Sequence, residues 1–329
     1  MPRKNVDLTG TEEFHFPQFL TEQKENITVP AINILLSITA FLGNALIIAS
    51  KGVIHSLPSK LLLGCLASTN LCVGLFVQPL YVNVLLSSKC PKHCYYSLLL
   101  LDSTVLIFCG VSLMTLTAIS MDRLLAVLLR LRYRQVITLW RVCAFAVTIW
   151  LLNIANAIIL HYILLYGLGI SSAVAILCII VSPCCYMKIY RTLYHHQAQI
   201  QHQVHQGQPN GGEIPLNTAR YRRTVSSMIW VQISLVACYL PFGAVAGLLV
   251  TGIHTPLPIT VQATITLIMF NSTLNPLLYC WKMQEIKQAA KNTISNYVAF
   301  PLNSFQHEKS WHLLASTHSS VTYTRKQNS

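Results

Sequence analysis

An aspartate and an arginine stand side by side, Asp122-Arg123, inside the stretch SLMTLTAISMDRLLAV, which is otherwise apolar or weakly polar. Counting back from them, no charge appears until Asp102, so nearly a membrane's thickness of helix separates the two aspartates. A charged pair at the edge of an apolar run is expensive to hold and reads as functional. The bland alternative is an arginine that only reaches for lipid headgroups. Ionisable groups at membrane depth are costly and by default mark function. A second set is uncharged: Asn44 in FLGNALII, Asn70 in LASTNL, Ser112, and Asn271, Ser272 and Asn275 near the end of the chain's last apolar run. Amides and hydroxyls in such surroundings must find partners on neighbouring elements. No nucleophile, base and orienting partner occur together at membrane depth, and there is neither an HExxH nor a GxSxG. Neither catalysis, a metal nor a cofactor is expected. His195, His196, His202 and His205 lack cysteine or carboxylate companions and read as a solvated polar face.

The elements that must position these groups follow from composition. The 329 residues are 53% hydrophobic and 10% charged, far more apolar than a soluble domain. Cutting at charged residues leaves uncharged runs of 25 (26–50), 28 (61–88), 46 (142–187) and 58 (224–281) residues, and 93–121 is interrupted only by Asp102. At about 20 residues per span, the first two runs and the interrupted one hold one helix each, and the longest two hold two each. The expected fold is an all-α membrane protein, a bundle of seven transmembrane helices.

Of the 23 lysines and arginines, 18 fall on one set of loops and the tail, which the positive-inside tendency places in the cytoplasm. The N-terminus is then outside, the C-terminus cytoplasmic, and the net charge of +13 is mostly topology, not a nucleic-acid surface. Residues 1–29 form a polar extracellular segment without the pattern of a cleavable signal peptide, so the first span is expected to serve as its own signal. Residues 30–281 form the bundle. Residues 282–297 carry Ile286, Ala289, Ala290 and Ile294 on one face and lysines elsewhere, which reads as a short amphipathic eighth helix on the inner leaflet of the lipid bilayer. Residues 298–329 form a polar cytoplasmic tail, in which Ser316, Thr317, Ser319, Ser320, Thr322 and Thr324 are candidate phosphorylation sites that would recruit basic partners; a merely solvated tail is the alternative. Asn26-Ile27-Thr28 is a glycosylation pattern on the outer side, very near the membrane. Cys90 and Cys94 are the only outer cysteines and either pair with each other or stay free.

In chain order, Gly43-Asn44, LASTNL, Asp122-Arg123-Leu124, Trp150, Tyr186, Cys238-Tyr239-Leu240-Pro241 and Asn275-Pro276-Leu277-Leu278-Tyr279 resemble the motifs of a rhodopsin-type (class A) G-protein-coupled receptor, over roughly residues 30–295. The resemblance implies a plasma-membrane receptor for an extracellular ligand of unknown identity, coupled to a heterotrimeric G protein, with receptor kinases and arrestin acting on the tail. Asp122 would hold Arg123 at rest; Tyr186 and Tyr279 would turn inward on activation; Pro241 and Pro276 would supply the hinges. The family's second-span aspartate, which binds sodium together with groups at Ser112, Asn271, Ser272 and Asn275, is Asn70 here, so a polar network without the ion is expected. The usual tryptophan of span six is Tyr239.

Ligand contacts carry over to Val105, Leu106, Cys109, Tyr239 and Phe242. Asp102, the only carboxylate in the outer half of the bundle, points to a cationic or peptide-like ligand, or else is solvated near the mouth or paired with Lys89 or Lys92. An amine receptor would need its aspartate at Val105. The near absence of a second extracellular loop, left to a few residues around 161–167, and Cys178 in place of the usual span-five proline are similar to the melanocortin, adenosine, lysophospholipid and cannabinoid group. Met269 stands where an opsin needs its lysine. A transporter or channel, or a receptor homologue that does not signal, is the alternative; neither broken helices nor repeated halves appear.

Overall fold

A computed structural model describes residues 27–50, 58–86, 91–205, 214–251 and 258–282, with single positions 288, 291 and 295 beyond them. The helices follow the apolar runs, because a chain without water around it must satisfy its own backbone. Span one is Thr28–Ala49; span two runs from Pro58–Cys72 through a π turn, Val73–Val77, into Gln78–Leu86; span three is Pro91–Leu129. Span four is Leu139–Tyr162, span five Leu164–His205, span six Ile214–Thr251 and span seven Pro258–Lys282. Stretches in spans one to six are long and apolar enough to cross a membrane. Span seven is of spanning length, 25 residues, but more polar, with Gln262, Asn271, Ser272, Thr273 and Asn275 buried along it. Successive spans pack side by side, seven returns to one, and three also meets five.

The bundle is apolar outside and polar within. Leu35, Leu151, Leu177 and Leu277 are each about three-fifths exposed, on the surface that lipid covers, whereas Asn44, Asn70, Gln78, Ser112 and Asn271 are buried. Three irregularities position the site. Pro79 cannot donate to the ladder, and a π turn precedes it. The carbonyl of Gly74 in that turn accepts from Ser37 Oγ of span one at 2.6 Å, and a Cβ on Gly74 would lie 2.9 Å from the Phe41 nitrogen. In span seven, Pro276 leaves the Ser272 carbonyl without its helical donor, and Asn44 Nδ2 takes that place at 3.1 Å. Gly43 leaves room for the Pro276 ring, whose Cγ would lie 2.8 Å from an added Cβ.

Spans four and five are joined by Ile163 alone, with Gly167 N–H donating to the Ile163 carbonyl at 3.1 Å. A Cβ on Gly167 would lie 2.5 Å from Leu160 Cα, so only glycine lets span five reverse so closely against span four. The expected short second loop is thus a single residue. Span five continues through the histidine tract to His205.

Asn26, Cys90, the side chains of Cys94 and Tyr279, and the tail 298–329 lie outside the described residues. So does the expected amphipathic helix, except that Gln288, Lys291 and Ser295 are helical and exposed.

Candidate functional site

Spans three, four, five and six, with Ile268 of span seven, line a cavity of about 190 Å³ in the half of the bundle opposite the Asp122-Arg123 end. Five of the six expected ligand contacts line it: Val105, Leu106, Cys109, Tyr239 and Phe242. Asp102 is half-buried one turn above Val105 and is not part of the lining. Span four contributes Leu152, Asn153 and Asn156, and span five contributes Ile170, Ser171 and Val174, none of which the motifs pointed to. The available signal was a pair of asparagines three apart in an apolar run, which places both on one helix face.

The polar groups around the cavity are almost all committed. Tyr239 Oη donates to the Cys109 carbonyl at 3.0 Å. Asn153 Nδ2 donates to the Ile149 carbonyl at 2.8 Å and to the Met114 sulfur at 3.3 Å, and its Oδ1 sits over Gly110, where a Cβ would collide with it. Ser171 Oγ donates to the Gly167 carbonyl at 2.7 Å and accepts from Asn156 Nδ2 at 2.9 Å. Asn156 Oδ1 is left buried with no partner. Phe108 meets Trp150 edge to face at 5.8 Å and fixes span three against span four.

Below the cavity, the expected core residues Asn44, Asn70, Ser112, Asn271, Ser272 and Asn275 are all buried. Ser112 donates to Asn70 Oδ1 at 2.9 Å, but Asn70 Nδ2, both polar atoms of Asn271 and of Asn275, and Asn44 Oδ1 are buried without protein partners. Nearer the Asp122-Arg123 end a separate chain of groups joins three spans. Ser120 and Ser182 hydroxyls lie 2.7 Å apart, and Ser182 donates to Gln232 Oε1 of span six.

At that end Asp122 is buried, and its Oδ1 accepts from Tyr133 Oη at 2.6 Å. Tyr133 is brought back by a tight turn, Arg130–Arg132, in which Arg130 takes a left-handed φ of 45°. Among the described residues Asp122 forms no ion pair with Arg123, whose buried Nε lacks a partner. The aspartate is thus held by the loop tyrosine, a contact that the motif reading did not anticipate. Tyr186 is buried beside Leu124 and Val127, on the span-three face next to Arg123.

The amino-acid sequence matches the model of the 7 transmembrane receptor (rhodopsin family) over residues 43–165 and 160–279. The chain belongs to that family. It is similar to adenosine receptor A3 of Ovis aries, 25% identical over 287 residues that cover 80% of this chain and 88% of the relative. Adenosine receptor A3 of Bos taurus matches at the same identity and coverage. Adenosine receptor A2b of Homo sapiens is 30% identical over 124 residues, 37% of this chain and 36% of that one. The protein is accordingly a multi-pass cell-surface receptor of the rhodopsin-like, G-protein-coupled kind, and the adenosine group is among those its sequence resembled.

Proposed function

We propose that this receptor couples occupancy of the cavity between spans three and six to activation of a heterotrimeric G protein at the Asp122-Arg123 end. The observation that carries the reading is Tyr239, which lines the cavity, hydrogen-bonds span three and stands two residues from Pro241. A ligand that touches the tyrosine acts on the contact beside the hinge of span six, and so biases the part that moves. Arg123 would then meet the G protein, with Tyr186 and Tyr279 closing beneath it, Asn275-Pro276 supplying the hinge of span seven, and Tyr133 releasing Asp122. On this reading the N-terminal segment 1–29 is outside, and the tail 298–329 and helix 282–297 are cytoplasmic, with kinases and arrestin acting on the tail. Asn26, Cys90 and Cys94 then stand on the outer side, where glycan transfer and disulfide formation take place.

The core of Asn44, Asn70, Ser112, Asn271, Ser272 and Asn275 works as a polar network without sodium, because an amide supplies no charge to offset the desolvation of a cation.

The names of the relatives favour a second reading, a nucleoside ligand, and Asp102 favours a third, a cationic one.

The test is G-protein activation in cells across G-protein classes, with adenosine, amines, peptides and lipids applied to wild type, Arg123→Ala and Asp102→Asn at matched surface levels. Signalling lost in Arg123→Ala is expected. Full signalling in that variant would overturn the coupling role of Arg123. Loss in Asp102→Asn of the response to amines, with responses to uncharged ligands retained, would establish the cationic ligand.

A further inference from the structure

The residues around the cavity restrict what it can hold. None of its lining residues is charged. A cation or an anion placed there would lose its water and gain no counter-charge. A nucleoside, with several hydroxyls and ring nitrogens, would need several polar partners. Tyr239, Asn153 and Ser171 already commit their donors within the protein. Among the buried groups of the lining, Asn156 Oδ1 is the atom left without a partner. Its identity as oxygen follows from Ser171, whose proton goes to Gly167, so that only the amide N–H can face the serine. The unmet acceptor therefore favours a ligand that brings a hydrogen-bond donor to Asn156, set among mostly apolar walls.

The cavity wall also reaches the outside of the bundle. Leu152 of span four and Ile170 of span five both line it, and they are 55% and 39% exposed on the surface that faces lipid. At about 190 Å³ the enclosed space is below the usual range for a drug-sized ligand, roughly 300–1,000 Å³, so a larger molecule would have to extend out of it. The lining meets the lipid-facing surface at Leu152 and Ile170, with spans four and five joined there by the Asn156–Ser171 hydrogen bond.

Resting on the reading of this cavity as the ligand site, we infer that the receptor takes a small uncharged amphiphile from the membrane between spans four and five. Its hydroxyl or amide N–H donates to Asn156 Oδ1, and its hydrocarbon leaves past Leu152 and Ile170.

The full-length receptor in nanodiscs is exposed to a diazirine-bearing dodecanol or to its O-methyl ether, illuminated, and the labelled peptides are mapped. The alcohol is expected to label peptides of spans four and five, with roughly tenfold less label from the ether and in Asn156→Leu, the loss of one hydrogen bond. Leu152→Trp, at a lipid-facing position, is expected to close the entry and remove the label. Equal labelling by alcohol and ether, or by wild type and Asn156→Leu, would mean lipid adhering at the surface only and would overturn the proposal. Undiminished labelling in Leu152→Trp would overturn the route. Should Asn156→Leu fail to fold, the alcohol and ether comparison on wild type decides alone. No G protein is present in this assay, so its failure is distinct from a failure of Arg123→Ala to lose signalling.

Discussion

Between spans three, five and six, polar side chains reach directly across the helix contacts: Ser120 to Ser182 and on to Gln232, Ser172 to the Gly243 carbonyl at 3.3 Å, and Tyr239 to the Cys109 carbonyl. Between spans two, three and seven Ser112 reaches Asn70 and Tyr81 reaches the Gln262 carbonyl at 3.1 Å, but the amides of Asn271 and Asn275 have no protein partner. The difference lies in the residue types. A hydroxyl has one proton to place and finds a carbonyl within reach, whereas each amide has two donors and two acceptor sites and outnumbers its neighbours. The first seam therefore resists opening, and it is the one a swing of span six about Pro241 must open. The second can exchange partners at little cost, as a rearranging core requires.

The largest effect should come from breaking the first seam at its centre. Ser182→Ala leaves Gln232 Oε1 buried without a donor, worth about 1–3 kcal/mol against the clasped state. That is roughly a 5- to 150-fold shift toward the open arrangement. Agonist-free G-protein activation at matched surface levels should rise accordingly. Gln232→Met, which removes the stranded amide, should rise less, and the double variant should add nothing to the single ones, because the groups form one network. Basal activity that stays flat in Ser182→Ala would mean that opening does not pass through this contact.

The second seam is sharpened by giving it the charge it lacks. Asn70→Asp places a carboxylate against Ser112, within the group that includes Asn271 and Asn275, and should create a sodium site. At constant ionic strength, replacing potassium by sodium should then raise the thermal stability of the variant, by about 1.4 kcal/mol for each tenfold excess of sodium over its dissociation constant. Wild type should show no such response. A wild-type receptor whose stability or signalling follows sodium, with the response lost in Asn271→Ala, would overturn the ion-free network.

Much of this was legible in the sequence. The uncharged runs gave the spans, because charge at membrane depth is too costly to be scattered. The motif positions gave Val105, Leu106, Cys109, Tyr239 and Phe242, because helical periodicity carries register from one known point along a span. The groups that stayed hidden depend on which helix faces which. Asn156 is an ordinary interfacial asparagine until Ser171 is seen opposite, and Gln232 is a polar oddity until Ser182 is seen to reach it. Tyr133 follows a turn with a left-handed residue, Arg130, that no glycine marks. Asp102 was prominent in the sequence for being alone, and the same isolation leaves it outside the cavity it was expected to serve.

The smallest effect expected in the first seam is at Tyr239, for a reason that separates it from Ser182. Tyr239→Phe removes the hydroxyl that donates to Cys109, but the carbonyl it leaves belongs to the interior of span three and keeps its helical partner. No buried group is stranded, so the loss is that of one neutral hydrogen bond, about 0.5–1.5 kcal/mol, with the ring still filling its place. Agonist-free activation should rise about two- to tenfold, below Ser182→Ala in the same cells. A larger rise than in Ser182→Ala would reverse the comparison, because the contact beside the cavity would then restrain span six more strongly than the clasp nearer the G protein. A ligand that reached Tyr239 would in that case need to disturb only one hydroxyl to release the whole seam.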